Sequence, residues 1–168
     1  MPDFQPFVME QMMSEWENVV DINLSESGVH PMTLGELLAM DGREPNDLAD
    51  IGQFYPQANG TPELREAIAA LYEGATKDDV LVTIGAAEAN YLAVTTFLEA
   101  GDEVVLVMPN YMQIWGVARN RGCRIKEVLL DVDNDWALDV NALDEAVSPE
   151  TKMIVVVNPN NPTGKIMS

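Results

Sequence analysis

The sequence of 168 residues predicts an α/β fold on a mainly parallel sheet, and three observations predict it. Apolar, β-branched runs of strand length recur at residues 80–84, 103–108, 124–130 and 153–157. Segments with helical spacing lie between them. The runs are nearly continuous in hydrophobicity instead of alternating, which suits strands buried on both faces. Strands alternating with helices imply right-handed crossovers and helices covering both faces of the sheet.

The elements follow in order. Residues 1–21 read as a helical or irregular arm, with Phe7, Met12, Met13 and Trp16 available for apolar contacts. Residues 23–31 (NLSESGVHP) read as a loop from their Ser, Gly and Pro content, and His30 within it reads as a surface residue. Thr33 can cap a short helix through Leu34, Leu37 and Leu38. Residues 41–50 are polar and turn-like. Thr61 is an N-cap with Pro62 at the first helical position, Leu64, Ile68 and Leu71 fall on one face, and Gly74 ends the helix. Strand 80–84 then runs into Gly85-Ala86-Ala87 and a helix over residues 88–98. Strand 103–108 is followed by a helix over residues 112–121 that stops at Gly122. Strand 124–130 precedes a helix capped by Asp139 and carrying Leu143, Ala146 and Val147. The last strand, 153–157, leads into residues 158–164 (NPNNPTG).

Composition narrows the function. A hydrophobic content of 47% with 22% charged residues is that of a globular chain with a core. The net charge of −19 sets a field that repels nucleic acid and anionic membrane surfaces, so neither is an expected partner. That charge fits a solvated acidic surface or adaptation to salt. No apolar run approaches the roughly 20 residues of a membrane span. Residues 1–20 carry Asp3, Glu10, Glu15 and Glu17 without a basic residue, the wrong charge for a secretory leader. One cysteine, Cys123, excludes an internal disulfide and fits a cytoplasmic location.

Ligands of open α/β sheets sit beyond the carboxyl ends of the strands, and three segments occupy such positions. Gly85-Ala86-Ala87 joins a strand to a helix. Its backbone N–H groups can face an anion with the helix dipole behind them, or it is simply a tight connection. It lacks both the P-loop pattern and the dinucleotide fingerprint. Pro109-Asn110-Tyr111 puts a ring at a strand exit, either to stack on a planar ligand or as a rim residue. Residues 158–164 form a stiff, amide-rich turn that can donate hydrogen bonds without adding charge, which suits a phenolate-like oxygen.

Asn161-Pro162-Thr163-Gly164 resembles the Asn-Pro-Thr-Gly signature of the class I/II aminotransferases, the fold-type-I enzymes that use pyridoxal 5'-phosphate (PLP). Tyr55 with Gly60 and Pro62-Glu63-Leu64-Arg65, then Gly85-Ala86-Ala87-Glu88-Ala89, then Pro109-Asn110-Tyr111 are similar to the family's motifs in the family's order. The resemblance covers about residues 21–168. It implies a three-layer sandwich with a mainly parallel sheet, present in part. Residues 1–40 would be the N-terminal arm and part of a small domain, and residues 41–168 the N-terminal half of the PLP-binding large domain. It further implies that Ala86 and Ala87 bind the cofactor phosphate through backbone amides, that Tyr111 stacks on the pyridine ring and that Asn161 hydrogen-bonds the phenolic oxygen. By the same resemblance Tyr55 reaches the phosphate of a neighbouring subunit in a homodimer, and Gly28 lies near the substrate carboxylate. Cis peptide bonds at Met108–Pro109 and Asn161–Pro162 are part of the same expectation.

Ala87 lacks the hydroxyl or amide that many relatives place on the phosphate. The family's Schiff-base lysine, pyridine-nitrogen aspartate and carboxylate-binding arginine lie beyond Ser168, so no catalytic residue is expected in this segment and the segment alone is expected to be inactive. Lys165, beside the signature, is not that lysine. Residues 131–135 (DVDND) resemble the start of a calcium loop, but Trp136 and Ala142 stand where glycine and glutamate are needed, and no metal site is expected. The implied reaction transfers an amino group between an amino acid and a 2-oxo acid. The same scaffold also serves PLP-dependent lyases and cyclases, and a non-catalytic binding or regulatory protein could retain it.

Overall fold

A computed structural model describes residues 4–25, 28, 29 and 31–167, so His30 lies outside the described residues. In chain order the elements are α1 (Val8–Trp16), α2 (Leu34–Met40), α3 (Pro62–Ala69), α4 (Gly85–Phe97), β1 (Glu103–Met108), α5 (Gln113–Asn120), β2 (Arg124–Leu129), α6 (Val140–Ala146) and β3 (Thr151–Val155). Short 3-10 turns lie at Pro45–Leu48, Lys77–Asp79 and Val132–Asn134. The chain divides into two compact units, one of Met1–Ser27 with Ile84–Ser168 and the other of Gly28–Thr83.

The first unit holds a parallel sheet in the order β2-β1-β3. β1 is central, and its sequence EVVLVM explains why: Val104, Val105, Leu106 and Val107 are all fully buried, so both faces of the strand are covered. On one face Val104 and Leu106 pack with Val94 and Leu98 of the α4 segment, Ala118 of α5 and Val155 of β3. Burying Leu98 or Leu106 contributes roughly 1.5–3 kcal/mol each. The crossovers β1-α5-β2 and β2-α6-β3 are those expected from the alternation of patterns. Asp139 caps α6 by accepting from the N–H groups of Asn141 (2.9 Å) and Ala142 (3.4 Å), as its residue type suggests.

The expected strand at residues 80–84 is not one. The segment is extended, and Val82 N–H donates to Asn59 O at 3.0 Å, but among the described residues no strand pairs with it. β-branched residues favour extended backbone, whereas a strand exists only through its neighbours. The sheet therefore has three strands where four were expected. β3 also begins and ends two residues earlier than its apolar run, because Thr151 pairs with Glu103 and draws the ladder back.

That pairing builds a polar knot at the amino end of the sheet, away from the ligand end. The Glu103 carboxylate is buried, and its Oε1 accepts from Thr151 Oγ1 (2.8 Å), Ser148 Oγ (2.8 Å) and Lys126 Nζ (3.0 Å). Thr151 first, then Lys126 and Ser148, hold this carboxyl at about 2, well below the ordinary 4.5. A depressed folded-state value stabilises above the unfolded pKa and is lost as pH falls through the folded one. The stability difference between the wild-type chain and Glu103→Gln is therefore constant above about pH 5 and shrinks between about 4.5 and 2. Urea titrations of both chains across that range check it.

In the second unit Thr33 and Glu36 form a capping box at α2: Glu36 N–H donates to Thr33 Oγ1 at 3.2 Å and Thr33 N–H to Glu36 Oε2 at 2.7 Å. Thr61 caps α3 with Pro62 in the first turn, as expected. α3 stops at Ala69, earlier than the apolar spacing suggested, and Leu71 and Tyr72 follow in tight turns. Arg65 is the buried cation of this unit. Its Nε donates to Gly60 O (3.2 Å) and its NH1 to Lys77 O (2.9 Å), so it ties both ends of the α3 region together.

Candidate functional site

Both β1 and β3 run parallel, so the segments leaving their carboxyl ends must emerge side by side. The segment after β1 is Pro109-Asn110-Tyr111, and the segment after β3 is residues 158–164. Asn160 joins them. Its buried amide Nδ2 donates to Pro109 O at 3.0 Å, and its Oδ1 accepts from Thr163 N–H (3.2 Å) and Thr163 Oγ1 (2.7 Å). The peptide bonds Met108–Pro109, Asn158–Pro159 and Asn161–Pro162 are cis, two of them as expected.

The third segment, Gly85-Ala86-Ala87, opens α4, a helix of 13 residues. Helix geometry leaves the N–H groups of Ala86 and Ala87 without an intrahelical partner, and both residues are exposed. Gly85 takes a φ of +71°, a turn that side chains resist, and no atom lies within 4 Å of where its Cβ would stand. Glu88, the acid of the first turn, reaches back to accept from Ile84 N–H at 2.5 Å, so it caps the chain before the helix. Gln113, at the start of α5 just after the β1-exit loop, is bonded to this segment. Its Nε2 donates to Ala87 O (2.8 Å), and its Oε1 accepts from Asn90 Nδ2 (3.1 Å). Gln113 and Asn160 are positioning residues that sequence reading missed. Gln113 carries no motif signal and Asn160 stands inside the amide-rich turn of residues 158–164, but the bonds that give both their roles run across the fold.

Tyr111 is half-buried. Its hydroxyl donates to Glu10 Oε1 at 2.6 Å, and its ring meets Phe7 at 5.3 Å between centroids with an interplanar angle of 67°. Burial first, with the Glu10 carboxylate second, pushes its phenol up to about 12. The preceding Asn110 is buried, and its Nδ2 donates to Val107 O at 3.0 Å. Asn161 is half-buried, and among the described residues its amide has no hydrogen-bond partner. Lys165 is bound to Asp135 at 2.6 Å.

The remaining sequence candidates belong to the other unit. Tyr55 and Gly28 are both exposed there. In the first unit a cavity of about 530 Å³ lies between the arm and α5, lined by Phe4, Phe7, Tyr91, Met112 and Trp115 among others. None of Ala86, Ala87, Tyr111 and Asn161 lines it. Residues 131–135 form a turn in which Asp131 Oδ1 accepts from Asp133 N–H at 3.1 Å.

Fold and loops together define an α/β protein whose β1 and β3 exit loops are bonded to one another beyond the carboxyl ends of a parallel sheet. The chain belongs to the aminotransferase class I and II family, whose pattern it matches over residues 44–168. Among curated relatives, a probable aspartate aminotransferase of Methanocaldococcus jannaschii is 33% identical over 117 residues, 67% of this chain and 31% of that protein. A PLP-dependent aminotransferase structure from Streptococcus suis superposes with a TM-score of 0.89 at 30% identity, covering 98% of this chain and 45% of the other. A structure of the PLP-dependent cyclase OrfR superposes at 0.84 with 31% identity, covering 98% of this chain and 43% of the other. The chain spans about a third of the length of the curated relatives it matches.

Proposed function

We propose that this chain supplies the phosphate cradle, ring platform and phenolic-oxygen donor of a PLP-dependent aminotransferase acting on an amino acid and a 2-oxo acid. The observation that carries the reading is the pair of hydrogen bonds Asn160–Pro109 and Gln113–Ala87, at 3.0 and 2.8 Å, which tie the β3-exit loop to the β1-exit loop and the start of α5 to the start of α4. Their chemistry fits a phosphorylated pyridine. The N–H groups of Ala86 and Ala87 take an anionic phosphate, with the dipole of α4 behind them and small side chains that permit close approach. This local field answers the opposing net charge of −19. Tyr111 offers a ring face, and Asn161 offers an uncharged N–H donor to an oxyanion.

When bound, PLP supplies the electron sink that stabilises negative charge on the substrate's α-carbon. The residues of this chain bind and orient it, and Asn161 holds charge on the phenolic oxygen by donating a hydrogen bond there. Full exposure of Tyr55 leaves its hydroxyl available to a neighbouring subunit, so the proposal includes a homodimer with shared sites, and Gly28 near the substrate carboxylate. A cytoplasmic location belongs to the same proposal, supported by the single cysteine. Among the described residues no helix is long and apolar enough to cross a membrane.

A second reading, a cyclase or lyase on the same scaffold, draws support from the likeness to OrfR, which extends over 98% of this chain, as far as the likeness to the Streptococcus suis aminotransferase. One experiment separates them. A protein carrying this chain within the family's full length, loaded with PLP and given one amino acid alone, releases one equivalent of the matching 2-oxo acid if it is a transaminase. A cyclase or lyase converts the amino acid by other routes and releases no such equivalent. Mass spectrometry of the products reads the outcome.

A further inference from the structure

The N-terminal arm is not a passive tail. Its first anchor is reciprocal: Gln5 N–H donates to Asn120 Oδ1 at 2.7 Å and Asn120 Nδ2 donates back to Gln5 O at 3.0 Å, fixing the arm to the last turn of α5. From there the chain enters α1, and Glu10 in its first turn receives the Tyr111 hydroxyl at 2.6 Å while Phe7 meets the ring. No residue of α1 is buried, so this helix is held by such contacts more than by a core. An acid that accepts from a phenol commits its charge to that group, and a charge-assisted O–H···O bond of this length is among the stronger ones. The phenol, raised to about 12, stays protonated and keeps donating across the ordinary pH range.

We propose that Glu10 is a positioning residue for Tyr111: its carboxylate fixes the phenol of the stacking tyrosine, so that α1 sets the pose of the ring against a planar pyridine ligand. This rests on the cofactor reading above and deepens it by adding the arm to the site. Glu10 itself touches no reacting atom. Its effect passes through the ring, which has two free torsions and would otherwise sample more than one rotamer on a strand-exit loop.

The probe is pyridoxine 5'-phosphate, which has the ring and phosphate but no aldehyde and therefore binds without a lysine. Calorimetry gives its affinity for a protein carrying this chain within the family's full length, as wild type and as Glu10→Ala, Glu10→Gln, Tyr111→Phe and Glu10→Ala with Tyr111→Phe. Glu10→Ala and Tyr111→Phe each weaken binding roughly two- to tenfold, the cost of ordering a ring that the wild type already holds in place, and the double variant is no weaker than either. Glu10→Gln still accepts from the phenol and binds within about twofold of wild type. In the ligand-free chain the NMR ring resonances of Tyr111 shift in Glu10→Ala and return in Glu10→Gln. Should Glu10→Ala fail to fold, Tyr111→Phe deletes the same bond from the other side and carries the test. Wild-type binding that neither Glu10→Ala nor Tyr111→Phe alters overturns the inference and leaves the cofactor reading standing. No binding by the full-length wild-type protein overturns the cofactor reading, and the inference falls with it.

Discussion

Ala86→Pro lowers the affinity of the chain for pyridoxine 5'-phosphate by about 10- to 100-fold without melting α4. The substitution is chosen for what it removes. Proline deletes one N–H and nothing else of consequence, since the second position of a helix has no intrahelical acceptor to lose. The residue before proline is pushed away from right-handed helical geometry, and Gly85 already sits at a φ of +71°. If the Ala86 N–H donates to a phosphate, its loss removes a hydrogen bond to a charged group, worth about 1.5–3 kcal/mol, which is the stated change in affinity. Calorimetry on both chains, with circular dichroism to follow helix content, gives the answer. Equal affinities with equal helicity would move the phosphate elsewhere. The N–H of Ala87 would then carry the anion alone, or the cradle would not be one.

Much of this site was legible in the sequence, and the reason is physical. Pro109-Asn110-Tyr111 and residues 158–164 stand at the ends of apolar runs that bury themselves, so their place at the carboxyl end of a parallel sheet follows from the pattern. The caps Thr33, Thr61 and Asp139 were equally readable, because a cap is a local interaction between neighbours in sequence. What the pattern could not reveal was pairing at a distance. Residues 80–84 have the composition of a strand, yet composition does not supply the neighbour that a ladder requires, and the segment stays extended with no partner strand among the described residues. Glu103 opens β1 as an acid among valines, and nothing local says that Thr151, Ser148 and Lys126 converge on it. The bonds of Gln113, Asn160 and Glu10 were hidden for the same reason, although Asn160 stands within the turn that the sequence marks. Each is an ordinary polar residue whose meaning is a bond to a segment many residues away, 101 in the case of Glu10 and Tyr111. Tyr55 and Gly28 rest on resemblance alone, and their roles remain proposals.

Gly60→Ala destabilises the unit of residues 28–83 by about 3 kcal/mol, enough to unfold a marginal unit while the parallel sheet of the other unit persists. Two separate costs add. Gly60 has a φ of +100°, outside the region that side chains accept, and forcing an L-residue there costs roughly 1–2 kcal/mol. The added Cβ would also stand 2.4 Å from Val82 Cγ2 and 2.8 Å from Val82 Cβ, where no real contact survives. Val82 cannot step aside cheaply, because its N–H is bonded to Asn59 O at 3.0 Å, one residue before the glycine. Relieving such an overlap costs about 1–3 kcal/mol in a packed region. Gly60 O also receives Arg65 Nε at 3.2 Å, so a shift of the turn loosens the buried guanidinium that ties residue 60 to Lys77. Hydrogen exchange locates the damage: amides of α3 and of residues 80–83 lose protection in Gly60→Ala, and those of β1 keep theirs. Protection lost equally in β1 would mean that the two units unfold as one. A chain with unchanged protection throughout would mean that the turn at Gly60 can relax, against both the dihedral and the distance to Val82.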